Sequence, residues 1–153
     1  KEEDWDKIFL VNVRGPFYAI RAAIPHLAAG QGAIINVSSI GGIYGIGSSI
    51  PYCASKAALN NMTLTLARAL APKIRVNAVA PGPVETAMVR AVHTEAERSL
   101  YHRYIPMRRY AEPEEIGSVI NFLLDEGQSS YVTGEILAVD GGYTGAGIIV
   151  DPD

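Results

Sequence analysis

Three short apolar runs constrain this chain most: Ala33–Val37 (AIINV), residues 74–80 (IRVNAVA) and Ile136–Val139 (ILAV), each divided from the next by long stretches of helical sequence. Runs of this length, rich in β-branched residues, read as buried strands. Strands separated by whole helices pair in parallel, through right-handed crossovers. The expected fold is therefore α/β, a doubly wound, Rossmann-like parallel sheet with helices on both faces. Three strands are few for such a sheet and leave one side open, which points to a partial domain over residues 1–153.

Between the strands, residues 1–29 read as one helix. Trp5, Ile8, Phe9, Phe17, Ile20, Ile24 and Leu27 recur at three- and four-residue spacing, the period of a single helical face. Asp4 and Asp6 suit its N-terminal turn, Gly30-Gln31-Gly32 ends it, and Trp5 is expected in the core. A second long helix is expected over 51–70, capped by Ser48 or Ser49 and entered at Pro51. Residues 86–104 read as one further helix, and Pro113–Leu124 as another, entered at Glu112. Residues 38–49, with four glycines and four serines, read as a loop. Pro81-Gly82-Pro83 stops the second strand, Asp140-Gly141-Gly142 makes a turn, and 145–153 is an irregular tail. The chain opens on charged helical sequence rather than on methionine; the expectation is a fragment, although processing gives the same start.

Charge and composition exclude several partners. Formal net charge is −3, so nothing draws the chain to nucleic acid or to an anionic membrane. No apolar run reaches the roughly 18 residues of a membrane span, and residues 1–6 do not open a secretory signal. Cys53 is the single cysteine, which rules out an intramolecular disulfide and fits a reducing, cytoplasmic setting. His26, His93 and His102 lack metal-ligand spacing, so no metal is expected. Arg103, Arg108 and Arg109 read as a solvated face.

The chemistry concentrates in Tyr52-Cys-Ala-Ser-Lys56. Tyrosine and lysine four apart share a helix face. A phenol titrates near pH 10 and is a poor base at neutrality, but a neighbouring ammonium and a helix N-terminus both favour the phenolate. Tyr52 is thus placed to exchange a proton near physiological pH; alternatively, the pair is an ordinary surface one. Ser39 follows the first strand and precedes Tyr52 by thirteen positions. In an open α/β sheet ligands bind beyond the carboxyl ends of the strands, where a serine hydroxyl can bond a reacting carbonyl oxygen; otherwise it is a loop serine bonding its own backbone. Asn12 has Pro16 four residues on. Proline has no N–H, so the Asn12 carbonyl loses its normal donor and becomes available to a water; otherwise Pro16 merely kinks the helix.

Ser39, Tyr52 and Lys56 together, with Val11-Asn12-Val13-Arg14-Gly15-Pro16-Phe17, resemble the short-chain dehydrogenase/reductase family. The resemblance extends to Arg75-Val-Asn-Ala-Val-Ala-Pro-Gly82, Thr86, Tyr131-Val-Thr-Gly134 and Val139-Asp-Gly-Gly142, covering about residues 4–144. It implies hydride transfer between NAD or NADP and an alcohol or ketone. Tyr52 exchanges the proton and Ser39 holds the substrate oxygen. Lys56 supports Tyr52 and bonds the nicotinamide ribose, and Asn12 holds a relay water. It implies further that Pro81 and Gly82 pack against the nicotinamide, that the Val84 backbone binds its carboxamide with help from Thr86, and that residues 86–107 form a variable substrate lid. It also implies a homotetramer or homodimer built through helices 4–29 and 51–70. The family's opening strand and Gly-rich TGxxxGxG turn, which cradles the pyrophosphate, have no counterpart in this sequence. The activity is therefore expected of a complete parent protein. The rival expectation is a catalytically silent fragment or a structural, interacting subunit.

Overall fold

The computed structural model describes residues 2–30 and 32–145. Its three strands, β1 (Ala33–Val37), β2 (Arg75–Pro81) and β3 (Ile136–Val139), form one parallel sheet in the order β1-β2-β3. Ala33 pairs with Arg75 and Val37 with Val79, while Ala78 pairs with Ile136 and Pro81 with Val139. The middle strand carries the core: Val76, Ala78, Val79 and Ala80 are fully buried. Alternate residues of a strand face opposite ways, and each face of β2 meets helices. Val76 packs with Ala67, Ile74, Ile24, Leu27 and Leu66 on one side, and Val79 with Ile116, Leu123, Val119 and Ile120 on the other. The doubly wound arrangement expected from the sequence is present.

The first helix is not continuous. Helix α1 (Glu2–Phe9) leads into a π-helical turn, Leu10–Arg14, and then into α2 (Gly15–Leu27). The Gly15 N–H donates to the Leu10 carbonyl, five residues back. Pro16 accounts for the widening: it offers no N–H to the Asn12 carbonyl and its ring crowds that carbonyl in a regular α-turn. Trp5 is not core; it is 42% exposed and stacks on Phe9 with ring centres 5.1 Å apart. Lys1 and Gln31 lie outside the described residues, as does the expected irregular tail apart from Gly145, which sits in a turn.

Glycine-rich residues 38–49 hold a one-turn helix, α3 (Gly41–Tyr44), before α4 (Ile50–Leu70). Ser49 caps α4, its Oγ accepting from the Tyr52 N–H at 3.3 Å. The single helix expected over 86–104 is two, α5 (Ala87–Val92) and α6 (Glu95–Tyr104). Thr86 caps the first. Thr94 and Glu97 form a reciprocal capping box on the second, with Thr94 N–H to Glu97 Oε2 at 2.7 Å and Glu97 N–H to Thr94 Oγ1 at 3.3 Å. A capped start inside a helical stretch breaks it. Helix α7 (Pro113–Leu124) begins after Glu112 as expected, and a short α8 (Glu126–Ser129) follows. Arg109 is more than a solvated cation: its guanidinium bonds both Glu115 carboxylate oxygens at 2.6 and 2.7 Å.

Part of the pattern in the sequence is structural glue. Buried Asn77 donates to the Val132 carbonyl at 2.9 Å and accepts from the Glu135 N–H at 3.0 Å. Thr133 Oγ1 accepts from the Val76 N–H at 3.1 Å. These bonds lock residues 131–135 onto β2 and set the entry of β3.

Candidate active site

The carboxyl ends of β1 and β2 gather most of the expected site. Beyond Val37 the β1 chain keeps its pairing with β2: Ser38 N–H donates to the Val79 carbonyl at 2.7 Å, and Ile40 N–H to the Pro81 carbonyl at 3.1 Å. Ser39, between them, is held directly beside Pro81. It is buried, and its Oγ accepts from the Gly41 N–H at 3.0 Å. The bond within its own loop is therefore present. The bond to its own loop fixes the oxygen, while the hydroxyl proton remains to be given to an outside acceptor.

Tyr52 lies in the first turn of α4 and Lys56 one turn later. The Lys56 Nζ sits 5.8 Å from the centre of the Tyr52 ring, so the two share a face as their spacing required. Nζ donates to the Val37 carbonyl at 2.9 Å, which ties α4 to the carboxyl end of β1. Burial lowers the Lys56 pKa below the ordinary lysine value, since a less hydrated site disfavours the ammonium. Helix α3 presses close to the same lysine. A side chain on Gly42 would put its Cβ 2.6 Å from the Lys56 carbonyl carbon. Asn60, one turn beyond Lys56, donates to the Gly42 carbonyl at 3.0 Å.

Asn12 reaches the site indirectly. Its Nδ2 donates to Ser55 Oγ at 3.0 Å, and Ser55 Oγ donates to the Tyr52 carbonyl at 2.7 Å. Ser55 is fully buried and escaped the sequence reading. Its only signal there is a small polar residue three positions after Tyr52, on the side of α4 that meets the π-turn.

Pro81 and Gly82 close β2. On one side of Gly82 the space of a side chain is taken by Asp140, whose Cβ would lie 2.9 Å from a Gly82 Cβ. Asp140 in turn holds its own turn, accepting from the Gly142 N–H at 3.0 Å and the Thr144 N–H at 2.9 Å. Val84 forms an isolated parallel bridge with Ala111, and Thr86 N–H donates to the Val84 carbonyl at 2.8 Å. Thr86 Oγ1 accepts from the Val89 N–H at 3.1 Å, leaving its proton to donate elsewhere. Lys56 thus joins Tyr52 to the end of β1, Ser39 lies two residues beyond on the segment paired with Pro81, Asn12 is joined to Tyr52 through Ser55, and Thr86 lies where α5 begins.

The chain is similar to known proteins. A family described as "Enoyl-(Acyl carrier protein) reductase" matches residues 1–144. The chain is 45% identical over 144 residues to 3-oxoacyl-(acyl-carrier-protein) reductase FabG of Thermotoga maritima, covering 93% of this chain and 58% of that protein. It is 42% identical over 142 residues to cis-4-hydroxycyclohexanecarboxylate dehydrogenase of Sinomonas cyclohexanicum, covering 92% and 56%. A solved 4-hydroxyisoleucine dehydrogenase mutant, complexed with NADH and succinate, superposes with a TM-score of 0.87 at 27% identity over 94% of this chain and 60% of that one. The chain spans little more than half the length of these relatives. On the sheet order, the placement of Ser39, Tyr52 and Lys56, and these likenesses, the chain belongs to the short-chain dehydrogenase/reductase family.

Proposed function

We propose that the protein containing this chain is an oxidoreductase that transfers hydride between a nicotinamide cofactor and an alcohol or ketone, with Tyr52 as its acid–base group. The observation that carries this reading is the shared face of Tyr52 and Lys56, with Lys56 bonded to the Val37 carbonyl two residues before Ser39, at the carboxyl end of a parallel strand, where open α/β sheets take their ligands.

The donor set suits the nicotinamide end of NAD or NADP. The Lys56 ammonium can bond ribose hydroxyls. The Thr86 hydroxyl and the Val84 backbone can meet a carboxamide, and Pro81 with Gly82 forms the floor. When bound, the nicotinamide supplies or accepts hydride at its C4. The chain's own residues do the rest. Ser39 donates its hydroxyl proton to the substrate oxygen and holds it as charge develops. Tyr52 gives its phenolic proton to that oxygen in reduction and takes it back in oxidation. Lys56 keeps a positive charge beside the phenol. Asn12 orients the Tyr52 turn through Ser55, and its carbonyl, relieved by Pro16 of an α-helical donor, holds a water that refills the proton chain.

Assembly belongs to the same reading: a second copy covers the outer face of α1–α2 and α4, giving a homodimer or homotetramer. Leu10 and Phe17 are exposed there and line a cavity of about 740 Å³ with Met62 of α4. The setting proposed is the cytoplasm; among the described residues no helix is long and apolar enough to cross a membrane.

The experiment is a screen of the complete protein with NAD(H) and NADP(H) against alcohols and ketones, beside Tyr52→Phe. The variant should lose turnover by at least about a hundredfold while binding reduced cofactor as the parent does. Turnover within tenfold of the parent would remove Tyr52 from the role.

A further inference from the structure

A cluster of charged and aromatic side chains joins the α5–α6 segment to the chain leaving β2. Glu85 lies between Val84 and Thr86, and its backbone is already stitched to a neighbouring loop. Its N–H donates to the Ala111 carbonyl at 2.8 Å, and the Ala111 N–H donates to the Pro83 carbonyl at 3.0 Å. From α6, Arg98 bonds both Glu85 carboxylate oxygens, at 2.5 and 3.2 Å. Both side chains are mostly buried, each 18% exposed. The same guanidinium lies 5.3 Å over the ring of Tyr110, which is itself buried next to Ala111. Tyr110 Oη is 2.9 Å from His93 Nδ1, at the break between α5 and α6, and His93 stacks on Tyr101. Arg90 also reaches Glu85, donating to its backbone carbonyl at 3.2 Å, but its side chain is 60% exposed and stands 3.7 Å from the carboxylate, where solvent screens the ion pair.

A bidentate guanidinium–carboxylate pair is directional as well as strong. Here it takes hold of the one side chain between the two residues assigned to the cofactor carboxamide. We propose that Arg98 is a positioning residue: by clamping Glu85 against Tyr110 it sets the Val84–Thr86 backbone in the orientation that receives the nicotinamide end of the cofactor, and so couples α6 to cofactor affinity. This rests on the assignment of Val84 and Thr86 to cofactor contact made above. In this role Arg98 acts through Glu85, with its guanidinium backed by the Tyr110 ring. The Arg98 bond holds the Glu85 carboxyl below the usual carboxylate range, so the clamp stays charged at neutral pH.

The test is a titration of the complete protein with NADH and NADPH by fluorescence, together with steady-state kinetics. Arg98→Met should weaken binding of the preferred cofactor, and raise its KM, by about five- to twentyfold while kcat changes less than about threefold. Arg98→Lys should recover part of that loss, because a point charge replaces the fork. Glu85→Gln keeps the shape of the side chain and removes its charge; it should weaken cofactor binding by about three- to tenfold, and the double variant should be no worse than Arg98→Met. Folded Arg98→Met or Glu85→Gln with cofactor affinity within twofold of the parent overturns the proposal, and Glu85→Gln decides alone if Arg98→Met does not fold. A fall in kcat at unchanged cofactor KM also overturns it, as the signature of a purely structural tie. If the parent itself binds neither nucleotide, the functional reading fails and takes this proposal with it; that outcome is told apart by the parent's own titration.

Discussion

The Asn12 amide donates to the Ser55 hydroxyl at 3.0 Å, and the same hydroxyl donates to the Tyr52 carbonyl at 2.7 Å. Two hydrogen bonds therefore connect the π-turn to the first turn of α4. Ser55→Ala removes the middle of this chain and leaves the Asn12 amide without its acceptor in a half-buried place. A destabilisation of about 1–3 kcal/mol is expected, read by denaturant unfolding of the complete protein. In a double-mutant cycle Asn12→Ala should lose most of its own effect once Ser55 is alanine, since the two share one interaction. Additive effects would show that Asn12 is anchored elsewhere.

Acid should act on a different pair. The bidentate bond from Arg109, helped by the Glu112 N–H, holds the Glu115 carboxyl down at about 2 against an ordinary 4.5. The folded value lies below the unfolded one, so the pair's contribution to stability is complete above about pH 4.5 and disappears as pH falls through about 2. Carboxyl NMR of the complete protein should place the Glu115 midpoint in that range, and Arg109→Met should move it upward. An unmoved midpoint would assign the effect to the Glu112 N–H instead.

Several of these features were open to a reader of the sequence and several were not. The strands and the α4 face carrying Tyr52 and Lys56 follow from local periodicity, and each stands where it was expected. The break at Thr94 was in principle legible: threonine followed three residues later by Glu97 is a capping box, masked by helix formers on either side. Pro16 announces a missing donor at Asn12, but whether a helix kinks or widens depends on what packs against it, and here α4 does. Ser55 and the Arg98–Glu85 clamp were invisible because their partners lie 43 and 13 residues away in sequence. Nor could the sequence show what fills the space beside Gly82: Asp140 occupies the place of a side chain, a contact made only when β3 arrives beside β2.

The proposed interface makes a mass prediction. Leu10 is 53% and Phe17 44% exposed on one side of the α1–α2 stretch, and both line the cavity that reaches Met62. Burying a carboxylate against a second copy of this apolar face is costly, so Leu10→Glu with Phe17→Glu should convert the assembled complete protein to a smaller species. Sedimentation or light scattering reads this directly. An unchanged assembly mass would place the contact on another face.

Two glycines separate close approach from mere helix softness. Gly42 of α3 packs against α4, and an added Cβ would fall 2.6 Å from the Lys56 carbonyl carbon and 2.8 Å from its oxygen, atoms of a helix backbone that cannot step aside. Gly117 sits within α7 with nothing inside 4 Å of the same construction. Gly42→Ala must therefore push α3 away from Lys56, costing about 1–3 kcal/mol as overpacking does, and it should carry Ser39 out of register with Tyr52. Gly117→Ala should do the opposite, stabilising by about 0.4–1 kcal/mol because alanine gives the unfolded chain less freedom to lose. Unfolding midpoints of the two variants of the complete protein should move in opposite directions, and only Gly42→Ala should lose turnover. If both variants stabilise, α3 has room to retreat, and the contact on Lys56 does not hold Ser39 in place.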